Sequence, residues 1–143
     1  MSQSDPHCAL PDRNRQPPRH RIPAGATDCH ARVIGLANRY PFVVNRSYTP
    51  PDALLPNYLH VLKTIGFVRS VMVQPSMYGN DNTIIMNAID EADKIQLRAV
   101  VVISSCIDEN TLASLHVRGA RINLIYSGGN FEHHFRLRDR GAD

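Results

Sequence analysis

In the stretch TDCHARVIG, Thr27 to Gly35, two side chains able to do chemistry stand two residues apart: His30 and Arg32. Residues two apart on a strand face the same way, so a second histidine at that spacing would set two metal ligands side by side. Arginine does the opposite. Its guanidinium is always charged and has no lone pair, so it cannot ligate a cation and repels one placed beside it. The pair therefore predicts a site without a metal. The ligand that suits it is a carboxylate, which a guanidinium grips through two parallel hydrogen bonds. His30 alone has two readings, a proton carrier or a hydrogen-bonded structural residue at a strand end.

Further along, Gln74, Ser76, Tyr78, Asp81 and Asn82 cluster after one strand, and Arg121 and Asn123 lie on another. Hydroxyls, amides and guanidinium groups together suit a small, oxygen-rich, anionic substrate. A plainer reading stands beside each. The segment PSMYGND is also a turn rich in capping groups, Asp81 and Asn82 also read as a helix cap, and Arg121 on a strand needs a polar partner of some kind. Adjacent His133 and His134 carry no ligand geometry, and His60 and His116 sit on helices without a matching partner. The three cysteines, Cys8, Cys29 and Cys106, have no paired spacing and no base at a recognisable distance, so reduced thiols are expected.

These residues need elements to position them. DCHARVIG reads as a strand running into Gly35, followed by a loop, LANRYPFVVNRSYTPPDA, whose aromatics and prolines predict packed structure. Leu55, Tyr58, Leu59, Leu62 and Ile65 recur at helical spacing, with Pro56 in the first turn and Gly66 at the stop. VRSVMVQ is a short strand. A helix capped by Asp81 runs through NTIIMNAIDEADKI on a stripe of Ile84, Ile85, Ala88, Ile89 and Ala92. LRAVVVIS has the β-branched density of a strand covered on both faces. Asp108 opens a third helix that stops at Gly119, and ARINLIY is a fourth strand before an SGGN turn. The order β-α-β-α-β-α-β predicts a parallel sheet with covering helices. Strands about 30 residues apart fit either a (β/α)8 barrel or a doubly wound sheet. Neither phosphate-binding glycine motif is present.

Composition narrows the classes. The sequence has 143 residues, 43% of them hydrophobic and 20% charged, enough for one ordinary domain. No apolar run approaches the roughly 20 residues of a membrane helix. The first 23 residues hold four arginines, five prolines and no apolar h-region, which predicts a disordered tail rather than a secretory signal, and a cytoplasmic chain. Residues 24–130 carry nine Lys or Arg against eight acids, so no basic stripe is available to neutralise phosphates and no nucleic acid partner is expected. Residues 131–143 read as a charged, weakly structured tail.

TDCHARVIG, RYPFVVNRSYTPPDA, VMVQPSMYGNDN and GARINLI together resemble the opening half of amidohydrolase-superfamily proteins of the 2-pyrone-4,6-dicarboxylate hydrolase type. The resemblance spans about residues 24–130, with YTPPDA and VQPSMYGNDN its most specific parts. It implies a partial (β/α)8 TIM barrel of about four parallel strands, and a hydrolase acting on a lactone or other small cyclic carboxylate. It implies a catalytic role for His30 and substrate contacts from Tyr48, Ser76, Tyr78 and Arg121; Arg32, which departs from the family pattern, and Asn82 join the expected substrate contacts on their own chemistry. Some relatives hold a divalent metal on their strand histidines, whereas the pyrone-dicarboxylate type works without one. No cofactor is expected here, because Arg32 replaces the second histidine. A full barrel takes about 250 residues, so a truncated chain lacking the general base on the eighth strand is expected. The alternative is a catalytically inactive partial barrel, a remnant or an interaction subunit, whose open sheet edges a second copy would cover.

Overall fold

The computed structural model describes residues 8–10, 12, 14–44, 46, 48–92, 95–127 and 130–132, with side chains described as far as Ile122. The elements follow in the order β1 Thr27–Ala31, α1 Leu55–Ile65, β2 Arg69–Val73, a 3-10 turn Ser76–Tyr78, α2 Thr83–Glu91, β3 Gln96–Ser104, α3 Glu109–Val117, β4 Ala120–Ser127 and β5 Asn130–Glu132.

Local chemistry sets the helix ends. Pro56 stands in the first turn of α1, and Gly66 closes it in the left-handed region at φ 100°, its N–H donating to the Leu62 carbonyl. Asp108 caps α3 by accepting from the Thr111 N–H. Asp81 accepts from the Thr83 N–H and hydroxyl at the start of α2. That helix ends at Glu91, one residue before the last position of the predicted stripe, Ala92.

The strands lie in chain order, β1-β2-β3-β4, all parallel, with β5 antiparallel on β4. A doubly wound sheet reverses its order at a switch point. Consecutive order with right-handed crossovers instead puts every helix on one face. This is the wall of a partial α/β barrel. Leu97, Ala99, Val101 and Ile103 of β3 and Met72 of β2 enter one core with Ile84, Ile85, Met86 and Ala88 of α2 and Leu55 of α1.

Three expectations need correcting. β3 is covered on both faces only in its second half, since Gln96 and Arg98 are exposed while Val101, Val102 and Ile103 are buried. The charged segment after residue 130 is not wholly a tail, because Phe131 pairs with Tyr126 and Glu132 with Ile125 in β5. The fourth strand is therefore not a bare edge along its whole length; from Ala120 to Leu124 it has no second neighbour among the described residues. Gly128, Gly129 and residues 133–143 lie outside the described residues, as do the two adjacent histidines.

Among the described residues of the first 23 there is no helix or strand; the Cys8 N–H donates to the Thr49 carbonyl and Arg15 to that of Asn57. The long loop after β1 is packed. Ile34 and Ala53 close it through an antiparallel bridge, and Tyr40, Phe42 and Tyr48 rest against the core.

Candidate active site on the first strand

β1 is irregular where its chemistry lies. Asp28 pairs with Ser70 and Ala31 with Met72, so three steps along β1 match two along β2. The ladder slips by one residue there, an irregularity of the bulge kind, which re-aims the side chains around it. Asp28 consequently turns to the helix layer, where its Oδ2 accepts from the Tyr58 hydroxyl of α1 at 2.9 Å. His30, two residues on, is exposed beside Arg32, while Ala31 and Val33 are buried in the core. Nη2 of Arg32 lies 3.4 Å from Nε2 of His30. A guanidinium only donates, so Nε2 is the acceptor and the ring proton sits on Nδ1. With that lone pair engaged and a fixed positive charge beside it, the pair does not fit a metal ion. Among the described residues no three His, Cys, Asp or Glu side chains converge as a ligand set. No carboxylate among them pairs with Arg32.

Asp28 was not singled out by sequence, although an aspartate two residues before a backbone N–H is a known turn-former. Its Oδ1 accepts from the His30 N–H at 3.2 Å. The Tyr58 hydroxyl that meets its other oxygen also meets the hydroxyl of buried Ser70. Burial raises the Tyr58 pKa, and the bond to Asp28 raises it further.

The other expected site residues divide. Ser76 is exposed at the start of the 3-10 turn and Tyr48 is half-buried against the core, and neither hydroxyl has a partner among the described residues. Tyr78 is only 2% exposed. Its hydroxyl accepts from the Gly35 N–H at 3.1 Å, its ring tilts against Phe42, and burial raises its pKa. Asn82 is committed to the sheet: Nδ2 donates to the Val102 carbonyl at 2.6 Å and to Asn80, and Oδ1 accepts from the Val102 N–H at 3.2 Å. Neighbouring Gln74 is buried, donates to the Asp81 carbonyl, and leaves its Oε1 without a partner among the described residues.

Arg121 differs most from expectation. It is the second residue of β4, at the strand's N-terminal end, away from the C-terminal ends where function gathers in parallel barrels. Its Nη1 donates to the Ala120 carbonyl and lies 3.5 Å from Nδ1 of His116 in the last turn of α3, and it lines a groove of about 660 Å³ between α3 and β4. No hydrogen bond joins it to β1 among the described residues. Both amide hydrogens of Asn82 and the Tyr78 hydroxyl's acceptor side serve the fold. His30, Arg32, Tyr48, Ser76 and the other guanidinium nitrogens of Arg121 are left with polar groups to offer.

Comparison with known proteins supplies the family. No family model matches the chain. It is 33% identical over 116 residues to 4-sulfomuconolactone hydrolase of Rhizobium radiobacter, covering 81% of this chain and 38% of that protein. It is 35% identical over 115 residues to 2-pyrone-4,6-dicarboxylate hydrolase of Comamonas testosteroni, covering 78% and 37%. A solved structure of a probable 2-pyrone-4,6-dicarboxylic acid hydrolase from Acinetobacter baumannii, with citric acid bound, superimposes with a TM-score of 0.60 at 26% identity over 69% of this chain and 36% of that one. The chain thus spans little more than a third of the length of these relatives. Over about four-fifths of its own length it is homologous to the N-terminal part of these amidohydrolase-like lactone and pyrone hydrolases.

Proposed function

We propose that this chain provides the β1–β4 wall of a hydrolase that opens a small cyclic carboxylate, a lactone or pyrone. The carrying observation is the His30–Arg32 pair, in which an exposed guanidinium, without a carboxylate partner among the described residues, stands 3.4 Å from an imidazole nitrogen. Arg32 has donors beyond the one facing His30 and would hold a substrate carboxylate or the oxyanion that forms when water adds to the ester carbonyl. His30 orients that guanidinium and presents Nδ1–H as a second donor or proton carrier. Tyr48 and Ser76 supply further hydroxyls to the substrate, while Tyr78 and Asn82 position the segments that carry them. The citric acid held by the Acinetobacter baumannii protein supports a polycarboxylate ligand. No metal takes part in this reading.

The test is hydrolysis of a panel of lactone carboxylates by the purified chain, with and without added divalent cation, alongside Arg32→Ala and His30→Ala. Metal-independent turnover lost in both variants supports the proposal. Turnover equal in Arg32→Ala and the parent chain overturns it.

A second reading has its own observation. The β4 edge from Ala120 to Leu124 lacks a second neighbour among the described residues, and Val117 (84% exposed) and Ile122 (44% exposed) lie beside it. An inactive partial barrel serving as an interaction subunit would cover that edge with another copy of the chain. Concentration-dependent self-association with carboxylate binding but no turnover supports this second reading.

A further inference from the structure

We propose that Asp28 is the positioning residue of the β1 site, its carboxylate pinning the bulge that turns His30 away from the helix layer and onto Arg32. The inference rests on the reading of His30 and Arg32 as the site and names what holds them there. Oδ1 accepts from the His30 N–H at 3.2 Å and Oδ2 accepts from the Tyr58 hydroxyl at 2.9 Å, so one side chain ties the extra residue of β1 to α1. Ser70, the register partner of Asp28 across the sheet, is 1% exposed and meets the same tyrosine hydroxyl. The knot thus joins β1, β2 and α1 at the point where the register slips.

Sheet geometry shows why this matters. Without the bulge, strict alternation would put Asp28, His30 and Arg32 on one face and move Ala31 out of register with Met72. The observed arrangement has Asp28 bonded to the helix layer and His30 and Arg32 exposed and in contact with each other. A side-chain acceptor two residues before an N–H is what stabilises such a local departure from the ladder. Asp28 need not touch substrate. It acts through His30, whose ring it aims and whose tautomer the aimed contact with Arg32 then fixes.

The test reads His30 itself, by ¹⁵N NMR of the imidazole in the free full chain. The parent is expected to show one neutral tautomer, with Nε2 unprotonated. Asp28→Ala is expected to give a mixed tautomer and, where lactone turnover is present, a fall in kcat/KM of about tenfold or more, the scale of losses from misplaced groups. Asp28→Asn keeps an amide oxygen for the His30 N–H and is expected to restore the single tautomer. Should the alanine variant not fold, Tyr58→Phe removes the second tie on the same carboxylate and is expected to broaden or mix the His30 signals. A parent-like His30 spectrum in Asp28→Ala, or in Tyr58→Phe if that is the variant in hand, overturns the proposal, and so does a mixed tautomer in folded Asp28→Asn. The spectrum needs no substrate, so absence of turnover in the parent counts against the hydrolase reading alone.

Discussion

Nη2 of Arg32 stands 3.4 Å from Nε2 of His30, close enough to fix the imidazole tautomer and leave the remaining guanidinium donors for an anion. If those donors hold a carboxylate, removing them should weaken binding of a polycarboxylate such as citrate. A hydrogen bond to a charged group is worth about 1.5–3 kcal/mol, so Arg32→Ala is expected to raise the Kd about tenfold or more. Arg32→Lys, which keeps the charge and loses the fork, should fall between. Calorimetric titration at low salt checks this, and equal affinities in Arg32→Ala and the parent would exclude Arg32 as the anion contact.

Tyr78 and Gly35 hold the strand–loop junction after β1. The Tyr78 hydroxyl satisfies the buried Gly35 N–H, and a Cβ at Gly35 would run into the Tyr40 ring and stand 2.9 Å from Ile84. Tyr78→Phe leaves that N–H without its acceptor, at a cost of about 1–3 kcal/mol. The expected result is a lower urea midpoint with an unchanged m-value. A midpoint equal to the parent's would show that water takes the hydroxyl's place.

Asn82 acts as a short substitute strand. Its amide both donates to and accepts from the backbone of Val102, beside the β3–β4 register shift between Val101 and Val102. Asn82→Ala opens both bonds at a site where neither group is well placed to reach water. Faster amide exchange at Val102, by a factor matching a loss of about 1–3 kcal/mol, is the expected outcome. Unchanged exchange there would mean that the β3 ladder alone protects it.

Asp108 tests the acid side of the pH range. Hydrogen bonds from the Thr111 hydroxyl and N–H hold its carboxyl below the ordinary 3.8, so the unfolded chain takes up this proton first as pH falls. The contribution to stability is complete above the ordinary value and is lost as pH drops through the folded one. The parent should therefore melt above Asp108→Ala at neutral pH, with the two curves converging in acid. A difference that persists unchanged into strong acid would show that the cap works without its charge.

Much of the frame was legible because it rests on periodicity and punctuation. Leu55 to Ile65 with Pro56 and Gly66 marks α1 almost to the residue, and Asp108 marks the start of α3. What pattern could not choose was barrel wall or doubly wound sheet, since strand order is a tertiary fact that local spacing does not encode. The site was half legible. Alternation correctly puts His30 beside Arg32, yet the same rule puts Asp28 with them, and the bulge that separates Asp28 depends on Tyr58 and Ser70, distant in sequence. Tyr78 and Asn82 read as ligand groups because a free amide and one bonded to a strand look alike in sequence.

Two tyrosines couple stability to alkaline pH. The hydroxyl pKa values of Tyr58 and Tyr78 both stand above the ordinary 10.0, burial being the first cause in each. As pH rises, the unfolded chain gives up these protons before the folded one, so the folded state binds more protons and stability falls with pH. The contribution is complete below pH 10.0 and disappears as pH climbs through the folded values. Thermal midpoints of the parent should accordingly decline above that pH. Tyr58→Phe and Tyr78→Phe, each less stable at neutral pH for want of its hydrogen bond, should decline less steeply, so that the gap to the parent narrows in alkali. Parallel curves for parent and variants would show that neither hydroxyl is held neutral by the fold.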